Sequence, residues 1–380
     1  MDTIEAVDRA ASLHDLLMKS AEEGERQRTI PDEVVDAIEA EGLFEVVVPS
    51  SLGGHGLGLD AVAGVARTMG RGCPATAWTA SFLMLHGWLL SKFGEEARAE
   101  LFADGRMPMA AAPLAPSGKA VPTDGGFEVS GRWEWATGIA HSTWVMVHAI
   151  VEGPGFSTLF ALVPVEECTI DDVWFTSGMR ATGSRTVDLT SVFVPAHRTI
   201  DSRELLASPA TVDGDGLDGL AVGSVLAIVA SSPALGAAET SLELYRERLR
   251  SRVLAYSIGD KAAEQPVAQS RLGAVQDIVS TTVARWEQAI HGVTTGPPLD
   301  LDARVDARLA VASVVRSSRQ AISMICEGAG ASVYFESHPL QRFQRDVETL
   351  KGHVLFDWDR TTELVGRYHL GLGLRPADML

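Results

Sequence analysis

The period of the hydrophobic pattern changes twice along this 380-residue chain, and that change limits the folds open to it. Up to about residue 110, apolar residues recur every three or four positions, as they do in amphipathic helices. Between residues 125 and 200 the period is two, in segments separated by Gly, Pro and Asp turns. Past residue 208 the helical period returns, over 218–256, 266–291, 300–328 and 338–370. Segregated helices and strands favour an α+β fold over an alternating βαβ chain.

The same changes of period divide the chain into three domains. We predict an N-terminal helical domain over residues 1–108, a middle β domain over 109–206 and a C-terminal helical bundle over 207–380. In the first domain, Pro31 and Asp32 should open one helix and Asp60 should cap another. Residues 76–93 are apolar nearly all round, as a central bundle helix would be.

Composition and charge exclude several classes of function. The formal net charge is −18, and no Lys/Arg-rich run occurs, so nucleic acid is an unsuitable partner. The amino terminus has no signal-peptide pattern, and the three cysteines have no CxxC companion, which together favour a reducing cytoplasm. The uncharged stretch 219–238 is long enough to cross a membrane, but its glycines, serines and proline favour a buried helix.

Several common catalytic motifs are missing. The strings GxxxxGK[ST], HExxH and GxSxG do not occur, and no His or Cys cluster has metal-ligand spacing, so we expect no metal site. The string GxGxxG occurs at Gly214, Gly216 and Gly219, but in an acidic loop with no strand before it, which indicates a linker. A dispersed Ser/His/Asp triad is disfavoured because no residue lies on a recognisable elbow.

Three segments carry more specific signals. Residues 131–144 (GRWEWATGIAHSTW) end a strand in aromatic, hydroxyl and glycine residues, which suits a planar heteroaromatic ring and equally suits a core hairpin. Residues 177–186 (SGMRATGSRT) offer two arginines and four hydroxyls, either for an anionic ligand or as a solvated turn. Near the carboxyl end stand GAGAS at 328–332, HPLQRFQRD at 338–346 and KGH at 351–353.

Together, in this order and at these distances, the segments resemble the acyl-CoA dehydrogenase superfamily across essentially the whole chain. More narrowly, RWEWATGIAHSTW, GMRATGS, HPLQRFQRD and KGHVLFDWD resemble the group D flavin-dependent monooxygenases, which are oxygenase components of two-component aromatic hydroxylases. The resemblance implies an N-terminal α-helical domain, a middle β-barrel or sandwich domain and a C-terminal four-helix bundle.

One missing carboxylate separates the branches of this superfamily. Its dehydrogenases often remove a substrate proton with a glutamate in a Glu-Gly-Thr context after the Arg-Asp pair. After Arg345 and Asp346 this chain has LKGHVL at 350–355, with Glu348 too close to the pair and Asp357 in the wrong context. This favours the monooxygenase branch and leaves a dehydrogenase acting on an acyl thioester as the alternative.

The resemblance also implies site residues. The catalytic set is His353, His86 and Thr137, and the flavin-binding set is Trp135, Thr137, Gly138, Arg180, Thr182, Ser184, Arg252 and Gln269. Imidazole suits proton transfer because its pKa lies near the working pH; the competing interpretation of His86 is a satisfied core residue. Thr137 aligns with a hydroxyl that bonds flavin N5. Arg252 resembles an arginine that reaches the flavin phosphate of a neighbouring subunit, with Gln269 as companion, so we expect a homo-oligomer, in this family a tetramer.

The implied reaction uses reduced flavin, as FADH2 or FMNH2, that an NAD(P)H-flavin reductase supplies. The flavin reacts with dioxygen to a C4a-hydroperoxide and hydroxylates an aromatic or polycyclic molecule, or oxygenates an amine nitrogen. A dry cavity lined by Trp135, Phe82, Leu85 and Trp88 would protect it from water. The residues leave open the substrate, and FMN against FAD.

Overall fold

The computed structural model describes residues 1–103, 105–207, 216–254, 257–297, 299–375, 378 and 380. Gly214 of the predicted linker lies outside the described residues, as do Ala255 and Tyr256 after Arg252. Within them, twelve α-helices and eight β-strands follow the order helices, sheet, helices. The predicted α+β fold class is confirmed.

The first region is helical. Its helices are α1 (Thr3–Ser12), α2 (His14–Gln27), α3 (Asp32–Ala40), α4 (Leu59–Gly70), α5 (Pro74–Leu90) and α6 (Glu95–Leu101). Helix α3 begins at Asp32 with Pro31 as its N-cap, as predicted. The prediction for Asp60 is wrong by two positions, because Gly58 is the N-cap of α4 and Asp60 lies in the first turn. Helix α5 is buried on nearly every side, as its uniform apolarity predicts.

The middle region is a single mixed sheet. Its strands are β1 (Ala110–Ala111), β2 (Gly118–Thr123), β3 (Gly126–Ala136), β4 (Trp144–Val151), β5 (Thr158–Pro164), β6 (Thr169–Asp171), β7 (Arg185–Pro195) and β8 (Thr199–Asp201). The strand order is β6-β7-β3-β2-β4-β5-β8, with β1 paired to β4. The long pair β3 and β7 is antiparallel. The segment 131–144 includes the end of β3, and the segment 177–186 leads into the start of β7.

The last region is a helical bundle. Its helices are α8 (Val222–Ser251), α9 (Pro266–Thr295), α10 (Leu301–Ala329), α11 (Pro339–Leu350) and α12 (Trp358–His369). The short helix α7 (Ser202–Leu206) precedes them and packs on β5 and β8 of the sheet. Helices α8, α9 and α10 pack on one another, and α8 also packs on α4 and α5 of the first region. A Cβ added at Gly236 of α8 would lie 2.1 Å from the carbonyl oxygen of Arg67 in α4. Glycine therefore permits the close contact that joins the two helical regions.

Helix α8 contains all but the first three residues of the apolar stretch 219–238, considered above as a membrane span. Among the described residues it is the one helix long and apolar enough to cross a membrane, and 89% of its most apolar window is buried inside the protein. Its neighbours α4, α5, α9 and α10 supply that burial. The prediction of a buried core helix at this stretch is confirmed.

Candidate functional site

The end of strand β3 forms the first wall of the site. The pairing of β3 with β7 shifts register between Trp133 and Ala136, and at that irregularity Trp135 has a φ of +62°. The Trp135 side chain is 63% exposed, which is unusual for so large an apolar group. It borders a cavity of about 190 Å³ whose other walls include Pro113, Ala115 and Ser117. A flat aromatic face beside a cavity can stack against a planar ring.

Three hydroxyl groups form a chain from the turn after β3 into the loop 177–184. Thr137 Oγ1 lies 2.9 Å from Ser184 Oγ, which lies 2.8 Å from Thr182 Oγ1. Thr182 Oγ1 donates to the carbonyl oxygen of Met179 at 3.0 Å. Because a hydroxyl carries one hydrogen, Ser184 donates to Thr182 and Thr137 donates to Ser184. The oxygen of Thr137 therefore keeps only its acceptor capacity for a ligand.

The loop 177–184 turns tightly through a 3-10 helix, Arg180–Thr182. Gly183 has a φ of +51°, and a Cβ added there would lie 2.9 Å from the carbonyl oxygen of Arg28. The Nε atom of Arg180 is buried and has no hydrogen-bond partner among the described residues. A buried donor without an acceptor is costly, so this guanidinium suits a ligand that brings oxygen or nitrogen acceptors.

The turn at Gly138 joins the sheet to helix α5. The backbone N–H of Gly138 donates to the carbonyl oxygen of Thr182 at 3.3 Å. Gly138 has a φ of +75°, and a Cβ added there would lie 3.1 Å from Thr79 Cγ2 and 3.2 Å from Leu83 Cδ2. Both of those residues lie in α5, which also carries His86. The turn thus brings the hydroxyl chain against the helix of the first predicted histidine.

His86 and His353 lie at the two ends of a row of aromatic rings. The ring centroids are 5.7 Å apart for His86 and Phe82, 4.7 Å for Phe82 and Trp78, and 5.2 Å for Trp78 and His353. His86 Nδ1 lies 2.6 Å from the carbonyl oxygen of Ala110, so Nδ1 is the donor and Nε2 of the neutral ring is an acceptor. In His353, Nδ1 accepts from a backbone N–H at 3.3 Å, which leaves Nε2–H as a donor.

Burial keeps both imidazoles neutral. It lowers the pKa of His86 to about 4, and it lowers the pKa of His353 to about 4 with the Arg308 charge adding to the effect. The expectation that these rings titrate near the working pH is therefore wrong for the flavin-free protein. The predicted walls Leu85 and Trp88 lie in the core and are at most 1% exposed, while Phe82 belongs to the aromatic row.

Arg252 and Gln269 form a separate cluster at one end of the bundle. Arg252 Nη1 donates to the carbonyl oxygen of Ala329 at 2.8 Å. The Arg252 carbonyl accepts from the N–H of Ala262, and Gln269 Nε2 donates to the carbonyl of Ala263 at 2.9 Å. The 262–263 turn therefore connects the two residues. No hydrogen bond or ion pair among the described residues joins this cluster to Thr137, Thr182 and Ser184, so its place in a flavin site stays a prediction.

Comparisons with known proteins identify the fold family. A family model described as "Acyl-CoA dehydrogenase, N-terminal domain" matches residues 7–103, and one described as "Acyl-CoA dehydrogenase, C-terminal domain" matches residues 228–358. The structure of XiaF from a Streptomyces species, in complex with FADH2 and glycerol, is 30% identical and superimposes with a TM-score of 0.92 over 99% of this chain and 97% of its own. The chain belongs to the acyl-CoA dehydrogenase family.

Two relatives within the acyl-CoA dehydrogenase family narrow the branch. The flavin-dependent monooxygenase, oxygenase subunit HsaA of Rhodococcus jostii, is 29% identical over 96% of this chain and 98% of its own length. The FADH(2)-dependent resorcinol hydroxylase, oxygenase component, of a Rhizobium species is 28% identical over 97% of this chain and 95% of its own length. The chain is a flavin-dependent monooxygenase, and so an oxidoreductase, as its resemblance predicts.

The structure explains why this member of the acyl-CoA dehydrogenase family lacks the dehydrogenase base. Glu348 lies at the surface and pairs with Lys351 at 2.5 Å, and Asp357 is the N-cap of α12. Within the described ranges, Asp346 is the only acidic residue that is buried as a whole, and it accepts from the backbone N–H of Met179. The dehydrogenase alternative is therefore set aside.

Some residues at the site escaped the sequence reasoning. Pro113, Ala115 and Ser117 line the cavity beside Trp135, but small residues before a strand look like an ordinary loop. Met179 takes part through its backbone alone, so its side-chain type carries no signal for that role. In the sequence, Asp346 stands out only as half of an Arg-Asp pair, whereas in the structure it is almost completely buried, which is unusual for a carboxylate.

Proposed function

We propose that this monooxygenase is the oxygenase component of a two-component system that hydroxylates an aromatic or polycyclic small molecule. The observation that carries the proposal is the directed hydroxyl chain, which ends at Thr137 beside the exposed Trp135. The resorcinol hydroxylase among the relatives supports an aromatic carbon as the atom oxidised, rather than an amine nitrogen.

The residues at the site fit a flavin. Trp135 offers a flat apolar face, the unpartnered Arg180 Nε offers a donor, and Thr137 offers an acceptor. These groups match the ring system of a flavin and its polar edge. When bound, reduced flavin supplies the electrons that activate dioxygen for transfer of one oxygen atom to the substrate. We assign Trp135, Thr137, Gly138, Arg180, Thr182 and Ser184 to holding it.

Thr137 has a defined task in this proposal. The N5–H group of a reduced flavin is a donor, and the hydroxyl chain leaves Thr137 as an acceptor. A hydrogen bond there holds the proton at N5 and slows the proton transfer that would release hydrogen peroxide. The orientation of the hydroxyl thus favours oxygen transfer over peroxide loss.

The aromatic row supplies the second requirement, a dry surface with few polar groups. Trp78 and Phe82 separate the two histidines and exclude water from the surface between them. His353 Nε2–H can donate to a substrate oxygen, and His86 Nε2 can accept from one. We propose that these two atoms orient a hydroxylated aromatic ring by complementary hydrogen bonds.

The remaining assignments concern assembly and supply. We assign Arg252 and Gln269 to the phosphate of a flavin bound by a neighbouring subunit, which requires an oligomer, and we propose a tetramer. A separate NAD(P)H-flavin reductase supplies FADH2 or FMNH2. The three cysteines are free thiols, in keeping with the cytoplasm as the site of action.

A rapid-mixing absorbance experiment tests the proposal. Anaerobic protein with reduced FMN, and separately with reduced FAD, is mixed with oxygenated buffer. We expect near-ultraviolet absorbance that persists for seconds before oxidised flavin forms, with the better-bound flavin giving the longer delay. Free reduced flavin is the control. Oxidised flavin forming as fast as in that control, with and without a phenol, would contradict the proposal.

A further inference from the structure

Met179 lies where the loop 177–184 meets helix α11, in a backbone conformation that a methionine rarely adopts. Its φ and ψ are +54° and +29°, in the left-handed region. Its N–H donates to Asp346 Oδ1 at 2.6 Å, and its carbonyl accepts from Thr182 Oγ1 and from Trp174 Nε1, each at 3.0 Å. The backbone N–H of Thr182 also donates to the Met179 carbonyl, at 3.2 Å. Four hydrogen bonds thus hold both polar groups of a strained residue.

The loop is docked closely on α11. A Cβ added at Gly178 would lie 2.1 Å from the carbonyl oxygen of Arg345. Arg345 Nη1 donates to the carbonyl oxygen of Ser177 at 2.7 Å, and the same guanidinium pairs with both carboxylate oxygens of Glu25 in α2, at 2.7 and 2.9 Å. Helices from the N-terminal and C-terminal regions therefore hold the loop between them.

Asp346 is 1% exposed, and its second oxygen, Oδ2, has no partner within the described residues. Burial raises the pKa of Asp346 to about 7, while the hydrogen bond from Met179 opposes that rise. Glu25, Arg345 and Arg342 are the other charges that act on it. Since a proton can reside on Oδ2, the Oδ1 atom accepts from Met179 in either protonation state.

We propose that Asp346 is a positioning residue for the flavin site. It holds Met179 so that the Met179 carbonyl sets the direction of the hydroxyl chain and leaves Thr137 as an acceptor. Asp346 acts through Met179, Thr182 and Ser184 without contacting the flavin. The inference rests on the proposed function, because the direction of the chain matters only where Thr137 faces the flavin N5–H.

The physical reason lies in the single hydrogen of each hydroxyl. If Met179 leaves its present conformation, Thr182 loses the carbonyl to which it donates. Thr182 can then donate to Ser184, and Ser184 to Thr137, so that the whole chain runs in reverse. Thr137 would then direct its O–H at N5–H, where two donors face each other. Loss of Asp346 would therefore change the direction of the Thr137 hydroxyl, which is three hydrogen bonds away from Met179.

Two substitutions at Asp346 separate its acceptor role from its volume. Asp346→Asn keeps an oxygen that accepts from the N–H of Met179, and Asp346→Leu removes the acceptor at similar size. Glu25→Gln is the matched control, since it weakens the ion pair at the same junction without touching the hydroxyl chain. Where Asp346→Leu gives no folded protein, Asp346→Ala takes its place.

The first measurement uses the flavin-free protein. Hydrogen exchange followed by mass spectrometry over residues 174–184 reports how often the backbone of the loop opens to solvent. We expect exchange about tenfold faster in Asp346→Leu, and within about twofold of the wild type in Asp346→Asn, because one hydrogen bond is lost in the first and kept in the second. Equal protection in Asp346→Leu and the wild type would overturn the inference.

The second measurement is the first-order rate of peroxide release from bound reduced FMN after mixing with oxygen. This rate is counted per bound flavin, so a general loss of folded protein does not change it. We expect Asp346→Leu to release peroxide about tenfold faster, and both Asp346→Asn and Glu25→Gln to stay near the wild type.

A wild type that releases peroxide as fast as free flavin overturns the proposed function and this inference with it. A slow wild type with an equally slow Asp346→Leu, or an Asp346→Asn as fast as Asp346→Leu, overturns the inference alone.

Discussion

At the scale of single residues, three of the five described non-glycine residues with a positive φ lie around the candidate site. Arg28, Trp135 and Met179 have φ values of +57°, +62° and +54°. Each such residue costs about 1–3 kcal/mol and persists only where its surroundings determine it. Arg28 is held by a bidentate pair with Asp172 at 2.7 and 2.8 Å, and Met179 by Asp346. The shape of the site is thus maintained against local preference, as expected of a surface that must fit a ligand.

Replacing Thr137 by valine removes the last hydroxyl of the chain and keeps the branched shape. We expect oxygen use to continue while the share of oxygen leaving as hydrogen peroxide rises about tenfold, because one hydrogen bond to the flavin N5–H is lost. An oxygen electrode and a peroxide assay, with a flavin reductase and a phenol that the wild type hydroxylates, give this share. Thr137→Ser, which keeps the hydroxyl, should stay close to the wild type. A valine variant that leaks no more peroxide than the wild type would contradict the role of Thr137.

The buried histidines make stability depend on pH. In the folded protein the pKa of each lies near 4, below the ordinary value of 6.5 that holds after unfolding. At these two positions the unfolded chain therefore binds more protons between those values, so the contribution of the two histidines to stability is full above pH 6.5 and falls as the pH drops towards 4. His353→Asn removes one titrating group and retains an oxygen that can cap the following turn. We expect its denaturation midpoint to fall less than that of the wild type between pH 7 and pH 4.5. Equal falls would contradict the neutral, buried state of His353.

The side chains of the site were easier to predict than its backbone. Thr137, Thr182 and Ser184 stand in two polar segments at strand ends, and the structure brings them into one chain. Met179 could not be found in this way, since nothing in a methionine indicates a positive φ or a carbonyl that accepts three hydrogen bonds. The sequence also could not predict that Arg252 is not bonded to these hydroxyls within one subunit, because this depends on how the bundle packs on the sheet.

At the scale of elements, the segment 338–370 shows where periodicity stops being informative. Its apolar spacing predicts one helical stretch, but the structure has two helices, α11 and α12, separated by residues 351–357. His353 accepts from the N–H of Leu355, and Asp357 accepts from that of Arg360, so each side chain caps a new turn. The break brings His353 against Trp78 at the aromatic row. Capping residues, rather than the period of the apolar residues, determine where the helices of this segment begin.

The docking of the loop on α11 predicts opposite effects for two glycine substitutions. In Gly178→Ala the new Cβ would lie 2.1 Å from the Arg345 carbonyl oxygen, so the loop must shift, at a cost of about 1–3 kcal/mol. Gly273→Ala, in helix α9 with open space around it, should stabilise the protein by about 0.5–1 kcal/mol. Urea denaturation gives both values, and flavin titration should show weaker binding for Gly178→Ala alone. Unchanged stability in Gly178→Ala would contradict the tight contact.

At the scale of the whole molecule, several large apolar side chains of the C-terminal region are exposed to solvent in a single subunit. Val253, Ile258 and Val267 are each more than half exposed, and they flank Arg252 and Gln269 along the chain. Tyr334 and Phe335, which follow the end of α10, are also more than half exposed. Exposed apolar patches of this kind often mark sites of interaction with another protein or subunit. Its position beside the proposed phosphate ligands supports the proposal that subunits share the flavin.

Replacing Val267 by aspartate tests that surface without disturbing the subunit itself. Val267 is 68% exposed, so the change should leave the thermal stability of an isolated subunit nearly unchanged. If a neighbouring subunit covers it, a buried unpaired carboxylate will shift the protein to smaller species, which light scattering after size exclusion detects. Flavin affinity should fall in the same sample, because Arg252 then has no neighbouring site to complete. Phe156→Asp, at an equally exposed position between β4 and β5, is the control and should change neither property. A Val267→Asp protein that keeps the mass and flavin affinity of the wild type would place the subunit contact elsewhere and remove the support for a shared flavin at Arg252.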